Sequence, residues 1–383
     1  MDSIASLGKK GLRTWVEINT RALKHNYSVF RKLVGGKMLM AVAKSNAYGH
    51  GLVPFSKTME KFGVDWIGVD SVKEAIRLRK EGIKKPILVL GYTMPENINL
   101  AVSKKISITI SSFDGLNGLI ALPSASKKKL KIHLKIDTGM SRQGFLSQDI
   151  HKVINFIESR SLTASIEGIY THFAQAKSPN FSKSTMEQIQ KFNEVVSAIK
   201  KVGLRPIVHA SATSGSVLFP EAHFGMVRVG IGMYGLWPSE EVRAVYGPKI
   251  RLKPALYWKA VISEVKKVSM GNGVGYDFTE KLDRDSLLAI SPVGYWHGYP
   301  RMLSSRGVVL VKGKRARVIG RVSMSMIVLD VTDIKGVKAG NEIILIGKGE
   351  KEEISAEEVA SLCNTINYEI VTRINPLIRR IYI

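Results

Sequence analysis

The sequence has almost no cysteine and no long apolar run. Cys363 is the only cysteine among 383 residues, so no disulfide can form within the chain. No stretch approaches the roughly 20 apolar residues of a membrane span. The first residues, "MDSIASLGKKGLRTW", lack the apolar segment of a signal peptide. We therefore expect a cytoplasmic protein in a reducing compartment, with no membrane partner.

The sequence is also short of acidic residues, with 32 Asp and Glu against 57 Lys and Arg, which gives a formal net charge of +25. Such an excess favours anionic partners, and nucleic acid has to be considered. The basic clusters are short, however: "KKKLK" at 127–131 and "KGKRAR" at 312–317. The sequence has neither zinc-finger spacing nor an RNA-binding aromatic motif, so we predict neither a nucleic-acid partner nor a metal site.

Eight apolar, β-branched runs alternate with helix-like segments through the first two thirds of the chain. Eight alternations favour a (β/α)8 barrel, which we predict at residues 12–245. An open, doubly wound sheet is the alternative, because periodicity alone does not separate the two. The eight runs are "MLMAVAK", "WIGVD", "PILVLG", "ISITISS", "KIHLKID", "IEGIYTHF", "PIVHASA" and "MVRVGIGMYG".

The pattern changes near residue 240, where Pro238, Pro248 and Pro254 indicate a connection. Strand-like runs then follow one another, beginning with "ALYWKAVISEVKKV", and only "SAEEVASLC" is typical of a helix. We predict a separate, mostly-β domain at residues 246–383, onto which residues 1–11 also pack.

One glycine motif is a weak signal. Residues 230–235, "GIGMYG", match the pattern G-x-G-x-x-G, but a dinucleotide site requires a helix directly after it. Leu236, Trp237 and Pro238 follow instead, so we do not predict a Rossmann site. Backbone N–H groups at this turn could still bind a phosphate.

The stretch "AVAKSNAYGHG" at 41–51 places a lysine at the end of an apolar run. Lysine is among the residues least often buried, so the position of Lys44 at the end of a buried strand requires an explanation. In a barrel the chemistry lies at the C-terminal ends of the strands. A half-buried lysine there can have a lowered pKa and form a Schiff base with an aldehyde. A lone lysine at a strand end is more often structural. The residues around Lys44 therefore determine whether a catalytic role is favoured.

Those neighbours resemble the pyridoxal-phosphate (PLP) signature of alanine racemases. The resemblance covers almost the whole chain in family order. It implies a PLP-carrying barrel followed by a β domain, in a head-to-tail homodimer that shares its active sites. It also implies an isomerase that supplies D-alanine, a peptidoglycan precursor. The other matching motifs are "TWVEINTRALKHNY", "KIDTGMSRQGF", "GIYTHFAQA", "FGMVRVGIGMYG", "GVGYDF", "PVGYWHGYPR", "GRVSMSM" and "TINYEIVTRI".

Racemisation requires a proton to leave one face of the substrate and return to the other, so one base per face is the simplest design. The resemblance implies that Lys44 carries the cofactor and handles the D-alanine proton. It implies that Tyr276, reaching in from the other subunit, handles the L-alanine proton. An ordinary tyrosine has a pKa of about 10. Nearby positive charge must therefore help such a residue to ionise.

The resemblance also implies roles for residues around the cofactor ring. Arg228 would face the pyridine nitrogen, to which it can donate but not give up a proton, and His172 would orient it. Arg142 would contact the cofactor's phenolic oxygen and the substrate carboxylate, which a guanidinium suits geometrically. Lys135 matches a lysine that is carbamylated in many members, and its carbamate would hold Arg142.

The remaining expected site residues bind the phosphate and the substrate or line the entrance. For the phosphate the resemblance implies hydroxyl and backbone N–H donors from Tyr48, Thr213, Gly230, Ile231 and Tyr368. The backbone of Met324 would meet the substrate carboxylate from the partner chain. The substrate entrance would be lined by Tyr295, Arg301 and Arg321.

Four positions depart from the family pattern. His297 and Ser325 stand where an aspartate is usual, and "HASATSG" has Ala212 and Thr213 where asparagine and serine are usual. Thr213 keeps the hydroxyl, so phosphate binding is expected to survive. The two lost acids put substrate preference, entrance gating and dimer strength in question.

Other readings remain open at this stage. One is a racemase of the same fold acting on serine or another amino acid. A second is a non-catalytic PLP-binding protein, although such proteins lack the C-terminal β domain. A third is a decarboxylase of related fold, for which a cysteine is expected near the second face, whereas Cys363 lies outside the matching motifs. A basic nucleic-acid-binding module is the last.

Overall fold

The computed structural model describes residues 9–178 and 182–383. The chain forms two compact units. One unit, called here the barrel unit, comprises Leu23–Ala47 and Leu52–Lys253. The other, called here the C-terminal unit, comprises the chain up to Ala22, Tyr48–Gly51 and Pro254–Ile383.

The first strand, β1 (Thr14–Ile18), pairs with strands of the C-terminal unit on both sides. The sequence pattern assigns it instead to the barrel domain predicted to begin at residue 12. It lies in the other sheet because its extended backbone completes two strand ladders there. Of the segment 1–11 predicted to pack on this domain, residues 1–8 lie outside the described residues. Lys9 forms an ion pair with Glu17 of β1.

Eight parallel strands of the barrel unit close into a cylinder. Hydrogen bonds between β5 and β6 complete the circle, so the (β/α)8 barrel is confirmed and the open sheet was the wrong alternative. The strands are β2 (Met38–Val42), β3 (Trp66–Val69), β4 (Ile87–Val89), β5 (Ser107–Ile110), β6 (Ile132–Asp137), β8 (Ile166–Tyr170), β9 (Ile207–His209) and β10 (Met226–Val229), with the short β7 (Phe145–Leu146) beside β6.

The barrel strands are rich in apolar residues because helices cover their outer faces while side chains fill the interior. Strands β3, β4 and β5 are buried along their whole length. The predicted helix in "SVKEAIRLRKEG" forms as Val72–Lys80, with Ser71 as its N-cap. The barrel unit's helices are Leu52–Phe62, Val72–Lys80, Pro95–Ser103, Phe113–Ile120, Ser124–Lys127, Ile150–Ser159, Ser182–Lys201, Thr213–Leu218 and Glu240–Tyr246, and Thr20–Val34 enters the unit at Leu23.

The C-terminal unit is built on one large, mostly antiparallel sheet, as predicted. Its strand order is β12-β15-β18-β17-β16-β19-β11-β1-β21, with β20 beside β19 and a separate β13–β14 hairpin. The strands are β11 (Leu256–Val261), β12 (Glu264–Val268), β13 (Gly273–Val274), β14 (Glu280–Lys281), β15 (Ser286–Ser291), β16 (Val308–Val311), β17 (Lys314–Ile319), β18 (Ile327–Asp330), β19 (Glu342–Lys348), β20 (Glu353–Ile354) and β21 (Arg380–Tyr382).

Three local expectations for the chain after residue 237 were wrong. The run "ALYWKAVISEVKKV" is two strands, β11 and β12, separated at residues 262–263. A helix, Glu240–Tyr246, lies in the presumed connection, because Ser239 caps it by accepting from the Val242 N–H at 3.3 Å. Besides the predicted helix Ala356–Leu362, a second helix forms at Asn367–Thr372. Its β-branched residues are more typical of a strand, so the sequence pattern did not predict it.

None of the helices in the described parts of the chain is long and apolar enough to cross a membrane.

Candidate active site

Lys44 lies two residues after the end of β2 and is half-buried. The next residues do not continue a normal helix. Ser45, Asn46 and Ala47 have φ/ψ of 56/54°, 56/41° and 53/53°, and Tyr48 has φ of 51°. The left-handed conformation costs an ordinary residue about 1–2 kcal/mol. A run of four such residues persists only where the surroundings impose it.

Glycine ends this left-handed run within the C-terminal unit. Gly49 has φ of 82°, and a Cβ there would overlap the carbonyl oxygen of Val371. Only glycine therefore fits this position. The first glycine in "AYGHG" is therefore explained by its close packing against the backbone of Val371.

Four cationic side chains of the barrel unit gather at the C-terminal ends of its strands. Burial first, and then the charges of Arg228, Arg142, Lys135 and Lys44, lower the pKa of His172 well below its ordinary value. His172 is therefore neutral at physiological pH. The concentration of positive charge suits an anionic guest at this end of the barrel.

Lys135 lies on β6 and is almost fully buried. Burial, followed by the charges of Arg142, Arg228 and Lys44, lowers its pKa to about 8. Its Nζ donates to Gln143 Oε1 at 3.1 Å, and Gln143 in turn donates to the Ser111 hydroxyl at 3.1 Å. A substantial fraction of Lys135 is therefore uncharged slightly above neutral pH.

Asp137 shapes the loop that carries Arg142. One carboxylate oxygen accepts the N–H groups of Gly139, Met140 and Ser141 at 2.8–3.1 Å, and the other accepts that of Arg142 at 2.9 Å. Burial alone would raise the pKa of Asp137, but these four backbone donors lower it. The aspartate in "DTGMSR" therefore stabilises the loop conformation.

Arg228 is buried on β10, beside β2. Its guanidinium donates to the carbonyl oxygens of Thr171 and Ala210 at 2.8 and 2.7 Å and lies 3.3 Å from His172 Nδ1. A shorter contact, 2.8 Å, joins it to His209 Nδ1. Burial lowers its pKa to about 10, so Arg228 stays charged at neutral pH.

A chain of buried groups continues from Arg228 to Glu167. His209 Nε2 lies 2.8 Å from His133 Nδ1, and His133 Nε2 lies 3.4 Å from Glu167 Oε2. A guanidinium can only donate, so His209 carries its proton on Nε2 and donates to His133, which then points its own Nε2–H at Glu167. The direction of donation is thereby fixed along the whole chain.

The carboxylate at the end of this chain is strongly held. Burial would raise the pKa of Glu167, but His133, 3.4 Å away, and hydrogen bonds from Lys131 and Ser107 lower it to about 2. The glycine at 168 makes room for the arrangement, because a Cβ there would overlap the His133 ring. Glu167 is therefore ionised at physiological pH.

Sequence reasoning missed His209, His133, Glu167 and also Tyr170. The Tyr170 ring stacks on the His209 ring, with 4.7 Å between the ring centroids. The Arg228 guanidinium lies over the Tyr170 ring, 5.0 Å from its centroid. The only signal was the placement of these polar residues inside apolar barrel strands, where a buried polar group needs partners.

Thr213 lies close to the glycine turn after β10. Its Oγ1 accepts the N–H groups of Gly230 and Gly232 at 3.2 and 3.3 Å. A hydroxyl that accepts twice keeps its own hydrogen to donate. Ile231 begins the 3-10 turn that follows, so these predicted phosphate residues of the barrel unit do lie together.

Two further predicted phosphate residues lie together in the C-terminal unit. The rings of Tyr48 and Tyr368 are 6.1 Å apart. Burial raises the pKa of Tyr48 to about 12 and also raises that of Tyr368. Both hydroxyls therefore keep their hydrogen at physiological pH and are donors.

Tyr276 lies at the tip of the β13–β14 hairpin of the C-terminal unit. Val274 and Leu282 anchor the hairpin in a small apolar cluster. Asp277 follows in the left-handed conformation, with φ of 61°, and pairs with Arg321 at 2.8 Å. The Tyr276 side chain itself is 68% exposed.

The predicted entrance residues of the C-terminal unit are held on neighbouring turns. The N–H of Tyr295 donates to the Ser323 carbonyl at 3.1 Å, and that of Trp296 donates to the Met324 carbonyl at 2.9 Å. His297 accepts from the Gly294 N–H through Nδ1 at 3.1 Å, so it caps its own turn where an aspartate was expected. Arg301 begins the following 3-10 turn and is exposed.

The residues that the structure describes contain no group of three or more His, Cys, Asp and Glu side chains able to hold a metal ion.

Known proteins resemble this chain over its full length. Residues 18–238 match the family model for the alanine racemase N-terminal domain, and residues 255–382 match that for the C-terminal domain. An alanine racemase of Desulforamulus reducens is 40% identical over 372 residues, covering 96% of this chain and 98% of the relative.

Solved structures agree with these relatives. The alanine racemase of D-cycloserine-producing Streptomyces lavendulae superposes with a TM-score of 0.90 at 32% identity, covering 98% of both chains. The alanine racemase of Bartonella henselae with covalently bound pyridoxal phosphate gives a TM-score of 0.86 at 27% identity, covering 97% of this chain and 100% of that one.

Proposed function

This chain belongs to the alanine racemase family and interconverts L-alanine and D-alanine, and from that premise we propose that it works with bound PLP and with Lys44 and Tyr276 as its two acid–base groups. The observation that carries the proposal is the cluster of Lys44, Lys135, Arg142 and Arg228 at the catalytic end of a closed barrel.

The donor set in the barrel unit fits a phosphorylated, anionic cofactor. The Asp137 carboxylate near the positive cluster is engaged by four backbone N–H groups. The Thr213 hydroxyl and the turn at Gly230 and Ile231 would hold the phosphate, because hydroxyl and backbone donors of this kind bind phosphate oxygens. By resemblance, the Tyr48 and Tyr368 hydroxyls would complete the donor set.

Bound PLP supplies a conjugated ring that delocalises the negative charge left on the substrate Cα when its proton departs. Arg228 would donate to the pyridine nitrogen. Because its pKa of about 10 keeps the guanidinium charged, and His209 and two carbonyls hold it, Arg228 would donate without transferring its proton. His172 is a weaker contact of Arg228 than His209, and both would orient it.

Two residues would move the protons. Lys44 would anchor the cofactor through Nζ and then exchange the D-alanine proton with the same atom. Tyr276 Oη would exchange the L-alanine proton. Arg142 would bind the substrate carboxylate, to which a guanidinium can donate twice, and the backbone of Met324 would support it.

The homodimer is part of the proposal. Tyr276, Phe278 and Met324 expose 68%, 74% and 59% of their surface on the C-terminal unit. Clusters of exposed large apolar side chains favour an interaction surface. Tyr276 would therefore enter the partner's active site, with Tyr295, Arg301 and Arg321 at the substrate entrance. A cytoplasmic location stays a prediction.

Lys135 is expected to form a carbamate, and the yield should rise with pH. Only the uncharged amine reacts with carbon dioxide. With a pKa of about 8, that form grows from about one tenth at pH 7 to about nine tenths at pH 9. We expect carbon-13 NMR with labelled bicarbonate to show a carbamate signal that increases over this range.

The control for this signal is Lys135→Ala, which should lack it, beside Lys131→Ala, which removes an exposed lysine paired with Glu167 and should keep it. A wild-type spectrum at pH 9 identical to that of Lys135→Ala would contradict carbamylation.

The experiment that tests the function is the appearance of D-alanine from L-alanine in purified protein supplied with PLP. We expect D-alanine, together with the absorbance of bound cofactor. Serine and larger L-amino acids, assayed beside alanine, are expected to turn over more slowly, since the relatives are alanine racemases. Bound PLP without any D-alanine would overturn the proposal.

A further inference from the structure

Glu74 connects the turn after Lys44 to the neighbouring barrel segment. It lies in the helix Val72–Lys80, which follows β3, and one carboxylate oxygen accepts the N–H of Ser45 at 3.0 Å. The other oxygen accepts the N–H of Asp70 at 2.8 Å. A single carboxylate thus joins the loops at the ends of β2 and β3.

This use of the carboxylate differs from ordinary helix capping. Ser71 is the N-cap and accepts the Glu74 N–H at 3.2 Å, so Glu74 occupies the position from which a capping-box glutamate returns to the N-cap N–H. Here the carboxylate goes to Asp70 and Ser45 instead. The helix keeps its serine cap, and the glutamate is available to hold the turn.

The Ser45 N–H matters because it belongs to the peptide group that begins at the Lys44 carbonyl carbon. A peptide group is planar, so fixing that N–H fixes the ψ angle of Lys44. The same bond restrains the first of the left-handed residues, which need such restraint. Asn46 adds a second restraint, since its Oδ1 accepts the Leu52 N–H at 2.9 Å.

We propose that Glu74 is a positioning residue for Lys44: its carboxylate, by holding the Ser45 N–H, imposes the left-handed turn and restrains the backbone on the C-terminal side of Lys44, and thereby the position of its side chain. The inference rests on the proposed role of Lys44. A long side chain amplifies a backbone rotation, and a misplacement of about 1 Å at a reacting group can cost on the order of a hundredfold in rate.

The test compares Glu74→Ala and Glu74→Gln with Ser71→Ala in the PLP-loaded protein. Ser71→Ala removes the helix cap but leaves the link from Glu74 to Ser45. We expect Glu74→Ala to lower kcat for L-alanine by roughly 10- to 100-fold with little change in KM. Glu74→Gln, which keeps one acceptor oxygen, should lose less, and Ser71→Ala should stay close to wild type.

The second measurement is amide hydrogen exchange of the peptide that spans residues 43–52, which does not depend on activity. In Glu74→Ala the Ser45 amide should exchange on the order of tenfold faster, as expected for loss of one hydrogen bond to a charged group. The acceleration should appear with and without PLP, and Ser71→Ala should not show it.

Two outcomes would overturn the inference. Equal losses in Glu74→Ala and Ser71→Ala would mean that the glutamate only stabilises its helix. Unchanged exchange at Ser45 in a folded Glu74→Ala protein would mean that the carboxylate does not hold the turn. Failure of the proposed function is distinct, because an active Lys44→Ala protein would disprove the role of the lysine whatever the exchange data show.

Discussion

Replacement of Lys44 by alanine is expected to lower the conversion of L-alanine to D-alanine by on the order of 10⁴-fold or more. Under the proposed mechanism, the change removes both the covalent anchor of the cofactor and one of two proton carriers. The remaining guanidinium groups of Arg142 and Arg228 should still attract PLP electrostatically. The variant is therefore expected to bind the cofactor loosely and to be almost inactive.

Borohydride reduction followed by mass spectrometry locates the attachment. We expect the reduced cofactor on Lys44 of the wild-type protein and no labelled peptide from Lys44→Ala. Lys57→Ala is the matched control, because Lys57 is a surface lysine paired with Glu81 at 3.0 Å, and it should be labelled and active. Labelling of another lysine in the wild-type protein would disprove the assignment.

A small primary amine separates loss of a functional group from loss of structure. If Lys44→Ala is folded and only lacks its amine, added methylamine should restore part of the activity, since it can take the place of the missing Nζ. Rescue that depends on the amine's pKa would indicate proton transfer at this position. No rescue at Lys44→Ala, with normal hydrogen exchange elsewhere, would argue that the attachment itself is indispensable.

The barrel strands were predictable because each is a short run rich in apolar residues between helical segments. This pattern arises when both faces of a parallel strand are covered. Closure was not predictable from any one segment, since it depends on the pairing of β5 with β6. The strand β1 was misassigned for the same reason: its partners, β11 and β21, lie far away along the chain.

The catalytic candidates were found through resemblance, whereas their supporting residues were not found. Glu74 lies 29 positions from Ser45, and on its own it resembles a helix-capping glutamate. His133 and His209 are 76 positions apart. Each of these residues becomes meaningful only when the fold brings its partner within hydrogen-bond distance, which a single sequence does not reveal.

The left-handed turn after Lys44 could not be predicted from the sequence either. Serine, asparagine, alanine and tyrosine occur in ordinary helices, and only Gly49 indicated an unusual backbone. The conformation follows from contacts, among them the Glu74 carboxylate on Ser45 and the Asn46 side chain on Leu52. Strain of this kind is typical of functional sites, where the surroundings stabilise a conformation that the residues do not prefer.

Tyr276→Phe is expected to lower kcat by roughly 10²- to 10⁴-fold, the range associated with loss of one general acid–base group. Both directions must slow equally in kcat/KM, because the equilibrium constant is unchanged. The isotope effects should not be equal. If Tyr276 handles the L-alanine proton, deuterium at Cα should slow L-alanine turnover more than in the wild-type protein, without the same increase for D-alanine.

Tyr92→Phe is the matched control, because Tyr92 is 61% exposed on the barrel unit and outside the proposed site. It should keep wild-type turnover and isotope effects. A Tyr276→Phe protein with wild-type turnover of L-alanine would remove Tyr276 from the mechanism. Equal increases of the isotope effect with both enantiomers would assign the tyrosine a structural role.

Mixing the two inactive variants tests whether the active site is shared. In a dimer of one Lys44→Ala and one Tyr276→Phe subunit, a site that pairs Lys44 of one chain with Tyr276 of the other is intact once and broken once. Random reassociation makes about half of the dimers mixed, so activity should return to about one quarter of the wild-type value. A tyrosine that served its own subunit would leave every site broken, and the mixture would stay inactive. Recovery of activity would therefore support the dimer and the assignment of both residues in one measurement.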